Sequence, residues 1–287
     1  MITIFTPTYN RAHLLPKVYK SLCYQTYSDF EWIIVDDGST DNTTQIINSI
    51  STTTFPIRYF KKKNGGKHSA INFGVKKAKG ELFFIVDSDD CLPEKALEII
   101  NKEYSNISND INYAGIAGLD CYKNGKIIGS GLPKETINCN AIDIRYKYGV
   151  QGDLKEIFRT QVLIDYPFPE FEGETFCPEQ LVWFRIAQNY KLRYFNYPIY
   201  IVEYQKNGIS SSITKARMNS PVATMTCYKE MTEYKNIALI IKIKGGINYW
   251  RFRFCNKKSH AIPKLRWFWN WTMPFGFILH LFDLKKI

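Results

Sequence analysis

Short apolar runs alternate with amphipathic stretches through the first hundred residues. Four runs have the length and the polar flanks of buried strands: Ile2–Thr6, Trp32–Val35, Ile57–Phe60 and Leu82–Val86. Between them, apolar residues recur at three- and four-residue spacing, which is typical of helices. This alternation predicts an α/β fold with a mostly parallel sheet and helices on both faces. Ligands of such sheets bind at the carboxyl ends of the strands.

The pattern is less regular after Gly115. A helix is predicted over 179–189, a strand over Leu192–Phe195 and a further helix over 214–233. From Asn236 the composition becomes basic and aromatic. We therefore place a boundary there, between a body of residues 1–235 and an appendage of residues 236–287.

Charge is distributed unevenly along the chain. The formal net charge is +11, from 38 basic and 27 acidic residues. Residues 236–287 hold seven Lys, three Arg and a single acid, Asp283, so this segment carries +9. The body is nearly neutral, and the positive charge therefore says little about its chemistry.

Cysteine usage and apolar run lengths indicate the compartment. The seven Cys are widely spaced and form no C-x-x-C pair, which argues against a zinc site and a disulfide framework and favours a reducing cytosol. The first residues, MITIFTPTYNR, do not have the pattern of a secretory signal. No run reaches the roughly 18–20 apolar residues that span a bilayer.

Polar residues cluster where the predicted strands end. The fourth strand leads into Asp87-Ser88-Asp89-Asp90, whose three carboxylates repel one another unless a cation lies between them. Oxygen ligands suit Mg²⁺ or Mn²⁺. Gly65-Gly66-Lys67 opens a predicted helix and could bind an anion such as a diphosphate. Ordinary turns and loops are the structural alternative for each cluster.

Four segments, in order, resemble the inverting family 2 glycosyltransferases with a GT-A fold. They are TPTYNR at 6–11, WIIVDDGSTDNT at 32–43, NGGKHSAINFG at 64–74 and VDSDD at 86–90. The resemblance implies a catalytic domain over 1–235, with a nucleotide-sugar half (1–110) and an acceptor half (111–235). It also implies a nucleotide-diphosphate sugar donor, with UDP favoured, and Mn²⁺ or Mg²⁺ as cofactor.

The same resemblance implies roles for individual residues. Pro7, Tyr9 and Arg11 would line the nucleotide pocket, while Asp37 would accept the imide N–H of the base. Asp87 would approach the ribose and Lys67 the diphosphate. The metal would be held by Asp89, with Asp90 nearby.

Inverting transfer also needs a general base beside the acceptor hydroxyl. The family supplies it from a Glu-Asp pair followed, six residues after the Asp, by an Arg. Counting back from Arg185 puts Glu179 at the Asp position and Pro178 at the Glu position, which departs from the family pattern. A helix-stabilising acid is the alternative role for Glu179, and Glu172 and Glu174 are the alternative bases. Asp153, Glu174 and Trp183 are predicted at the acceptor side.

The appendage combines aromatic and basic residues. It holds four of the six Trp, interleaved with cations: Trp250, Trp267, Trp269 and Trp271; Arg251, Arg253, Lys257, Lys258, Lys264 and Arg266. Such a segment could stack nucleic-acid bases or lie at an anionic bilayer surface. The apolar run Phe275–Phe282 favours the bilayer. A hairpin packed on the body or on a second subunit is the structural alternative.

The sequence thus predicts a metal-dependent inverting glycosyltransferase of the hexosyltransferase type. It would transfer sugar from a UDP-sugar to a glycan, lipid-linked if the tail binds membrane, in bacterial surface polysaccharide synthesis. It would act at the cytoplasmic face of the membrane, without nucleic acid. The alternatives are a nucleotidyltransferase, whose basic fingerprint loop is not found, and a non-catalytic membrane-bound module that binds sugar nucleotides or glycans.

Overall fold

The computed structural model describes residues 1–50, 54–203, 213–256 and 262–285. Lys257 and Lys258 of the predicted basic tail lie outside the described residues. The strands are β1 (Ile2–Thr8), β2 (Phe30–Asp36), β3 (Ile57–Lys61), β4 (Leu82–Ile85), β5 (Tyr113–Cys121), β6 (Thr136–Cys139), β7 (Leu154–Arg159) and β8 (Lys191–Ile201).

The helices follow in chain order, with short 3-10 helices at Ala12–Leu14 and Trp267–Thr272. They are α1 (Leu15–Cys23), α2 (Thr43–Ser49), α3 (Lys67–Val75), α4 (Ala96–Ser105), α5 (Asp143–Tyr146), α6 (Thr160–Asp165), α7 (Glu179–Ile186), α8 (Ile213–Asn219), α9 (Pro221–Glu233), α10 (Leu239–Arg253) and α11 (Met273–Leu284).

All eight strands form one sheet in the order β3-β2-β1-β4-β7-β5-β8-β6. The pairs β1–β2, β1–β4, β2–β3 and β5–β8 are parallel, as predicted for most of the sheet. The sheet is nevertheless mixed, because β7 runs antiparallel to both β4 and β5 and β6 runs antiparallel to β8. The carboxyl ends of β1, β2, β4, β5 and β8 therefore share one edge with the beginning of β7.

The central strands are buried on both faces, which explains their continuous apolar sequences. Ile2 and Ile4 of β1 lie in a core cluster with Leu15 of α1 and Leu97 of α4. On the opposite face Phe5 packs against α3, where Gly74 leaves no room for a Cβ: one would lie 2.2 Å from the Phe5 ring. Helices thus cover both faces, as predicted.

The less regular half departs from the periodicity. Strands β5, β6 and β7 were not predicted, since β5 is rich in Gly and Ala and β7 mixes charged with apolar residues. The helix predicted over 214–233 is two helices, because Pro221 has no N–H and begins α9.

The chain divides into two compact units. The sheet unit comprises the described residues of Met1–Pro167 and Arg185–Gln205, and the helical unit those of Phe168–Phe184 and Lys206–Ile287. The boundary predicted at Asn236 does not coincide with this division, since α8 and α9 group with the basic segment.

In the helical unit, α9 and α10 share a small core of Val222, Met225, Tyr249 and Phe252. Helix α11 packs on α10. Within the described part of the chain, no helix combines the length and the apolarity needed to cross a membrane.

Candidate functional site

The loops after β1 and β2 are tied together by hydrogen bonds. The Asn10 N–H donates to Ser39 Oγ (2.9 Å), and Thr40 N–H donates to Asn10 Oδ1 (2.8 Å). Asn10 has φ 51°, a left-handed conformation that Asn tolerates better than most residues. These two hydrogen bonds fix the loops at the sheet edge. The loop after β1 carries Tyr9, which is 48% exposed, and the partly buried Arg11.

Asp37 ties the glycine loop to the end of β2. Its carboxylate accepts hydrogen bonds from Lys62 Nζ (2.8 Å), Gly65 N (3.0 Å) and Gly66 N (2.7 Å). Gly66 has φ 90°, so a residue with a Cβ would be strained there. Asp37 thus already orders the loop before α3, and its predicted bond to a nucleotide base stays a prediction.

Asp87 follows β4 and lies between two ammonium groups. Its Oδ1 is 2.7 Å from Lys67 Nζ, and its Oδ2 is 3.7 Å from Lys155 Nζ. Burial by itself would raise the pKa of Asp87, but Lys67 and then Lys155 outweigh it and hold the pKa at about 2. Asp87 is therefore a carboxylate, an acceptor only, at neutral pH.

Asp89 meets Arg11 at the same edge. Arg11 Nη1 donates to Asp89 Oδ2 at 3.1 Å, and both side chains are partly buried. Lys17 Nζ donates to the Asp89 carbonyl at 3.1 Å. The structure therefore joins a predicted nucleotide-pocket residue to the predicted metal ligand, although 78 positions separate them in the sequence.

Asp90 is turned into the protein. Its Oδ2 accepts from Tyr200 Oη (2.8 Å) and its Oδ1 from Glu203 N (2.9 Å). Burial, and then the charge of Asp87, raises the pKa of Asp90 to about 6. Because both oxygens are already bonded, the geometry favours Asp89 over Asp90 as the metal ligand, and the predicted role of Asp90 stays a prediction.

The carboxylates suit a cation that is shared with a ligand rather than a closed protein cage. Among the described residues, no group of three or more His, Cys, Asp or Glu side chains is arranged to hold a metal ion. Mg²⁺ and similar ions commonly take one or two carboxylates and complete their coordination with water and substrate phosphates. Asp89 fits that pattern.

The predicted base and the predicted acceptor-side residues belong to different elements of the fold. Asp153 is exposed just before β7. Glu179 opens α7, in the helical unit. Trp183 of the same helix is buried against the Phe168 ring, with centroids 5.6 Å apart. Glu174 accepts hydrogen bonds from Val222 N (2.7 Å) and Ala223 N (2.8 Å), so it caps α9.

Three residues at the edge were missed by sequence reasoning. They are Lys155 at the start of β7, Asp120 near the end of β5 and Tyr200 near the end of β8. Burial, opposed by Lys155, raises the pKa of Asp120 to about 7. A single acid ending the apolar run AGIAGLD was the available signal, but only the antiparallel placement of β7 brings these residues together.

Residues 3–131 match the model of the family described as glycosyl transferase family 2, and this match contains Asp37, Asp87 and Asp89. This segment belongs to glycosyl transferase family 2. The family 2 segment ends before β7, so Lys155 and Glu179 lie outside it.

A curated relative supports the same assignment over a limited length. An uncharacterised glycosyltransferase of Rickettsia bellii is 35% identical over 148 residues, which are 50% of this chain but 21% of that protein. The chain thus spans about a fifth of the relative.

Solved structures establish the GT-A fold. Residues 1–349 of S. aureus TarS in complex with UDP-GlcNAc have a TM-score of 0.64 at 19% identity, covering 97% of this chain and 89% of that TarS chain. The mannosyltransferase PcManGT of Pyrobaculum calidifontis, in complex with GDP-Man and Mn²⁺, has a TM-score of 0.58 at 17% identity, covering 99% and 75%. At these identities the similarity shows the fold alone.

Proposed function

We propose that the protein is an inverting glycosyltransferase that transfers a sugar from a UDP-sugar to a glycan acceptor. The observation that carries the proposal is the meeting of Arg11 with Asp89, beside Asp87, at the carboxyl edge of the sheet within the family 2 segment. Sugar-nucleotide complexes of two proteins with the same fold, TarS and PcManGT, support a nucleotide-sugar donor.

In this proposal the donor lies along the sheet edge. Pro7, Tyr9 and Asp37 face the nucleoside, and the ionised Asp87 accepts hydrogen bonds from the ribose hydroxyls. Asp89 and the donor diphosphate would hold Mn²⁺ or Mg²⁺, which offsets charge on the departing diphosphate when bound. Lys67, at the beginning of α3, would supply further positive charge there.

The proposed chemistry is a single displacement at the anomeric carbon. The acceptor oxygen forms a bond to that carbon as the bond to the diphosphate oxygen breaks, which inverts the configuration. The acceptor proton passes to Glu179. Glu179 lies in the first turn of α7.

Release of UDP tests the proposed function. We expect the protein to release UDP slowly from at least one UDP-sugar with Mn²⁺ by hydrolysis, and Asp89→Asn to lose most of that release. A nucleotidyltransferase would instead release pyrophosphate from a nucleoside triphosphate and a sugar phosphate. Binding of UDP-sugars without any turnover would indicate the non-catalytic module.

Glu179→Gln and Glu174→Gln separate the proposed base from a structural acid. With an acceptor present, Glu179→Gln should lower transfer by about 10²–10⁴-fold with unchanged donor binding. Glu174→Gln should mainly weaken the α9 cap, by about 1 kcal/mol in unfolding, because both its oxygens bond to that helix. Loss of transfer in Glu174→Gln but not in Glu179→Gln would indicate that Glu174 is the base.

The proposal also places the enzyme at a membrane surface, because α11 has its polar face inside. The buried residues of this helix are Gly276, His280 and Asp283, whereas its large apolar residues are exposed. Asp283 is bound by Arg251 of α10 through two hydrogen bonds (2.5 and 2.6 Å). A helix in water normally buries its apolar face. The opposite arrangement in α11 supports an apolar partner, lipid or protein, on the outer face of this helix.

The exposed apolar residues lie within one stretch of the sequence, 267–284, and are flanked by cations. The residues are Trp267, Phe268, Trp271, Met273, Phe275, Phe277, Ile278, Leu279, Leu281, Phe282 and Leu284. Lys264 and Lys285 flank them and are exposed. Twelve helical residues extend about 18 Å, well short of a bilayer, so α11 would lie in the plane of the interface. Each cation near an anionic surface contributes about 1 kcal/mol.

Vesicle flotation tests the membrane proposal. The triple variant Phe275→Ser, Ile278→Ser, Phe282→Ser should reduce binding to phosphatidylserine-containing vesicles at least tenfold. Ile111→Ser, at a 79% exposed residue of the sheet unit, is the matched control and should change nothing. Wild-type protein that does not bind these vesicles, but forms a dimer that the triple variant loses, would favour the packed hairpin.

With α11 at an anionic inner leaflet, the acceptor of choice is a lipid-linked glycan, and the donor is a cytoplasmic UDP-sugar. The protein would then act at the cytoplasmic face of a bacterial membrane in surface polysaccharide synthesis. Transfer to a lipid-linked acceptor presented in anionic vesicles, compared with the same acceptor in neutral vesicles, tests this location.

A further inference from the structure

The order of strands at the sheet edge follows the order of groups in a sugar nucleotide. The proposed nucleoside residues Pro7, Tyr9 and Asp37 lie at the ends of β1 and β2. Asp87 and the proposed metal ligand Asp89 follow β4, and Lys67 reaches Asp87 there from the beginning of α3. The next strands along the edge are β7 and β5. A donor extended along this edge would place its sugar over the beginning of β7 and the end of β5.

Lys155 is the cation at that position. It is the second residue of β7, the neighbour of β4 in the sheet, and its Nζ lies 3.7 Å from Asp87 Oδ2 and 3.7 Å from the centroid of the Tyr200 ring. Tyr200 is fixed in turn, since its hydroxyl accepts from Asp87 N (2.9 Å) and donates to Asp90 Oδ2 (2.8 Å). Tyr200 therefore gives the Lys155 ammonium a fixed support, and the Lys155 side chain is 14% exposed.

Asp120 supplies a second carboxylate beside Lys155. It is 4% exposed, and its Oδ1 is a buried oxygen with no hydrogen-bond partner among the described residues. Asp120 pairs in register with Tyr200, and Gly118, two residues earlier, pairs with Lys155. Paired residues and residues two apart share a face of the sheet, so Asp120, Lys155 and Tyr200 share one.

We propose that Lys155 binds the donor sugar through hydrogen bonds to its oxygen atoms, and that Asp120 is a positioning residue that holds the Lys155 ammonium at the sugar. This inference rests on the proposed function, and it adds a sugar subsite outside the family 2 segment. An unpaired buried carboxylate oxygen is costly, and the nearby positive charge of Lys155 offsets part of that cost.

The charges also define the class of sugar. When ionised, Asp87 and Asp120 carry two negative charges against the two positive charges of Lys67 and Lys155, so no excess positive charge remains among these four groups to attract a sugar carboxylate. The subsite therefore fits a neutral sugar, with hydroxyl or acetamido oxygens as acceptors, better than a uronic acid.

The test compares binding of UDP with binding of UDP-sugars by titration calorimetry with Mn²⁺ at pH 8. The probes are UDP, UDP-glucose, UDP-galactose, UDP-GlcNAc and UDP-glucuronate. In Lys155→Met, the Kd of the best neutral UDP-sugar relative to that of UDP should rise about tenfold, since one hydrogen bond to a charged group is lost. Asp120→Asn should raise the same ratio of Kd values by a smaller factor. Lys126→Met, at an exposed lysine after β5, should leave it unchanged.

Each outcome decides one point. Wild-type protein that binds neither UDP nor any UDP-sugar would overturn the proposed donor itself. If it binds them but Lys155→Met weakens UDP and every UDP-sugar equally, or weakens none, the sugar subsite is wrong. Tighter wild-type binding of UDP-glucuronate than of the neutral sugars would overturn the neutral class. Thermal unfolding checks that each variant is folded, and Lys155→Arg, which keeps the charge, should retain part of the sugar selectivity if Lys155→Met does not fold.

Discussion

The sheet unit and helix α11 arrange apolar and polar residues in opposite ways. In the sheet unit, Phe84 of β4 is fully buried and the charged groups gather at the strand ends. In α11, Phe282 is 56% exposed and Asp283, its neighbour, is buried. Burial of apolar groups away from water explains the sheet unit directly, and it explains α11 if the outer face of that helix lies at the proposed membrane surface.

The buried acids of the two regions also differ in their hydrogen bonding. Asp283 is bound by both arms of the Arg251 guanidinium, whereas Asp120 has an oxygen without a partner among the described residues. Structural carboxylates are normally satisfied. The buried acid of α11 thus anchors a helix, whereas the unsatisfied oxygen of Asp120 supports the sugar subsite proposed above.

Matched Phe→Ala substitutions give the largest expected difference between the regions. Phe84→Ala should lower the free energy of unfolding by about 3–5 kcal/mol, since it opens a cavity in the core. Phe282→Ala should change it by less than about 0.5 kcal/mol in the absence of membrane. Urea unfolding measures both. An equal loss in the two variants would show that the outer face of α11 is covered by protein, not lipid.

The pH dependence of stability tests Asp120. Its pKa is raised from 3.8 to about 7, so between about pH 4 and 7 the folded state holds a proton that the unfolded state has lost. Stability should therefore fall as pH rises through this window and level off above it, by about 2–4 kcal/mol. Asp120→Asn should flatten the profile, leaving the smaller decline due to Asp90, whose pKa is about 6. An unchanged profile would mean that Asp120 ionises at its ordinary pKa.

Asp283→Asn should have the smallest of the three effects. It removes one partner of a largely buried ion pair, but Arg251 is 22% exposed, so a loss of about 2 kcal/mol is expected rather than the full cost of a dry pair. Glu233→Gln, which breaks the more exposed Lys229–Glu233 pair of α9, is the control and should cost less than about 0.5 kcal/mol. Equal effects would mean that α11 is not anchored through Asp283.

Much of the first half could be predicted because it is local. Strands β1, β2, β3 and β4 are apolar runs that end in turn-forming polar residues, so pattern alone located them. Strands β5 and β7 were not predicted, since their burial depends on neighbours that are distant in sequence. The single helix expected over 214–233 failed at Pro221, where the missing N–H ends one helix and begins another.

The candidate site shows the same limit. The sequence indicated Arg11, Asp87 and Asp89, because residues that follow parallel strands collect at one edge. It did not indicate that Asp37 binds the glycine loop, that Glu174 caps α9 or that Asp90 turns toward Tyr200. Those bonds join residues between 28 and 110 positions apart, and only the fold decides which of them meet.

By itself, then, the sequence determined the family 2 motifs, the GT-A fold they imply and a basic, Trp-rich end of the chain, since each is written in neighbouring residues. The tertiary structure decided what the charges do. It turned the apolar side of α11 outward, because Gly276 and Asp283 fit against α10 and larger apolar side chains do not. It also set Lys155 beside Asp87 and Asp120, because an antiparallel β7 lies between β4 and β5.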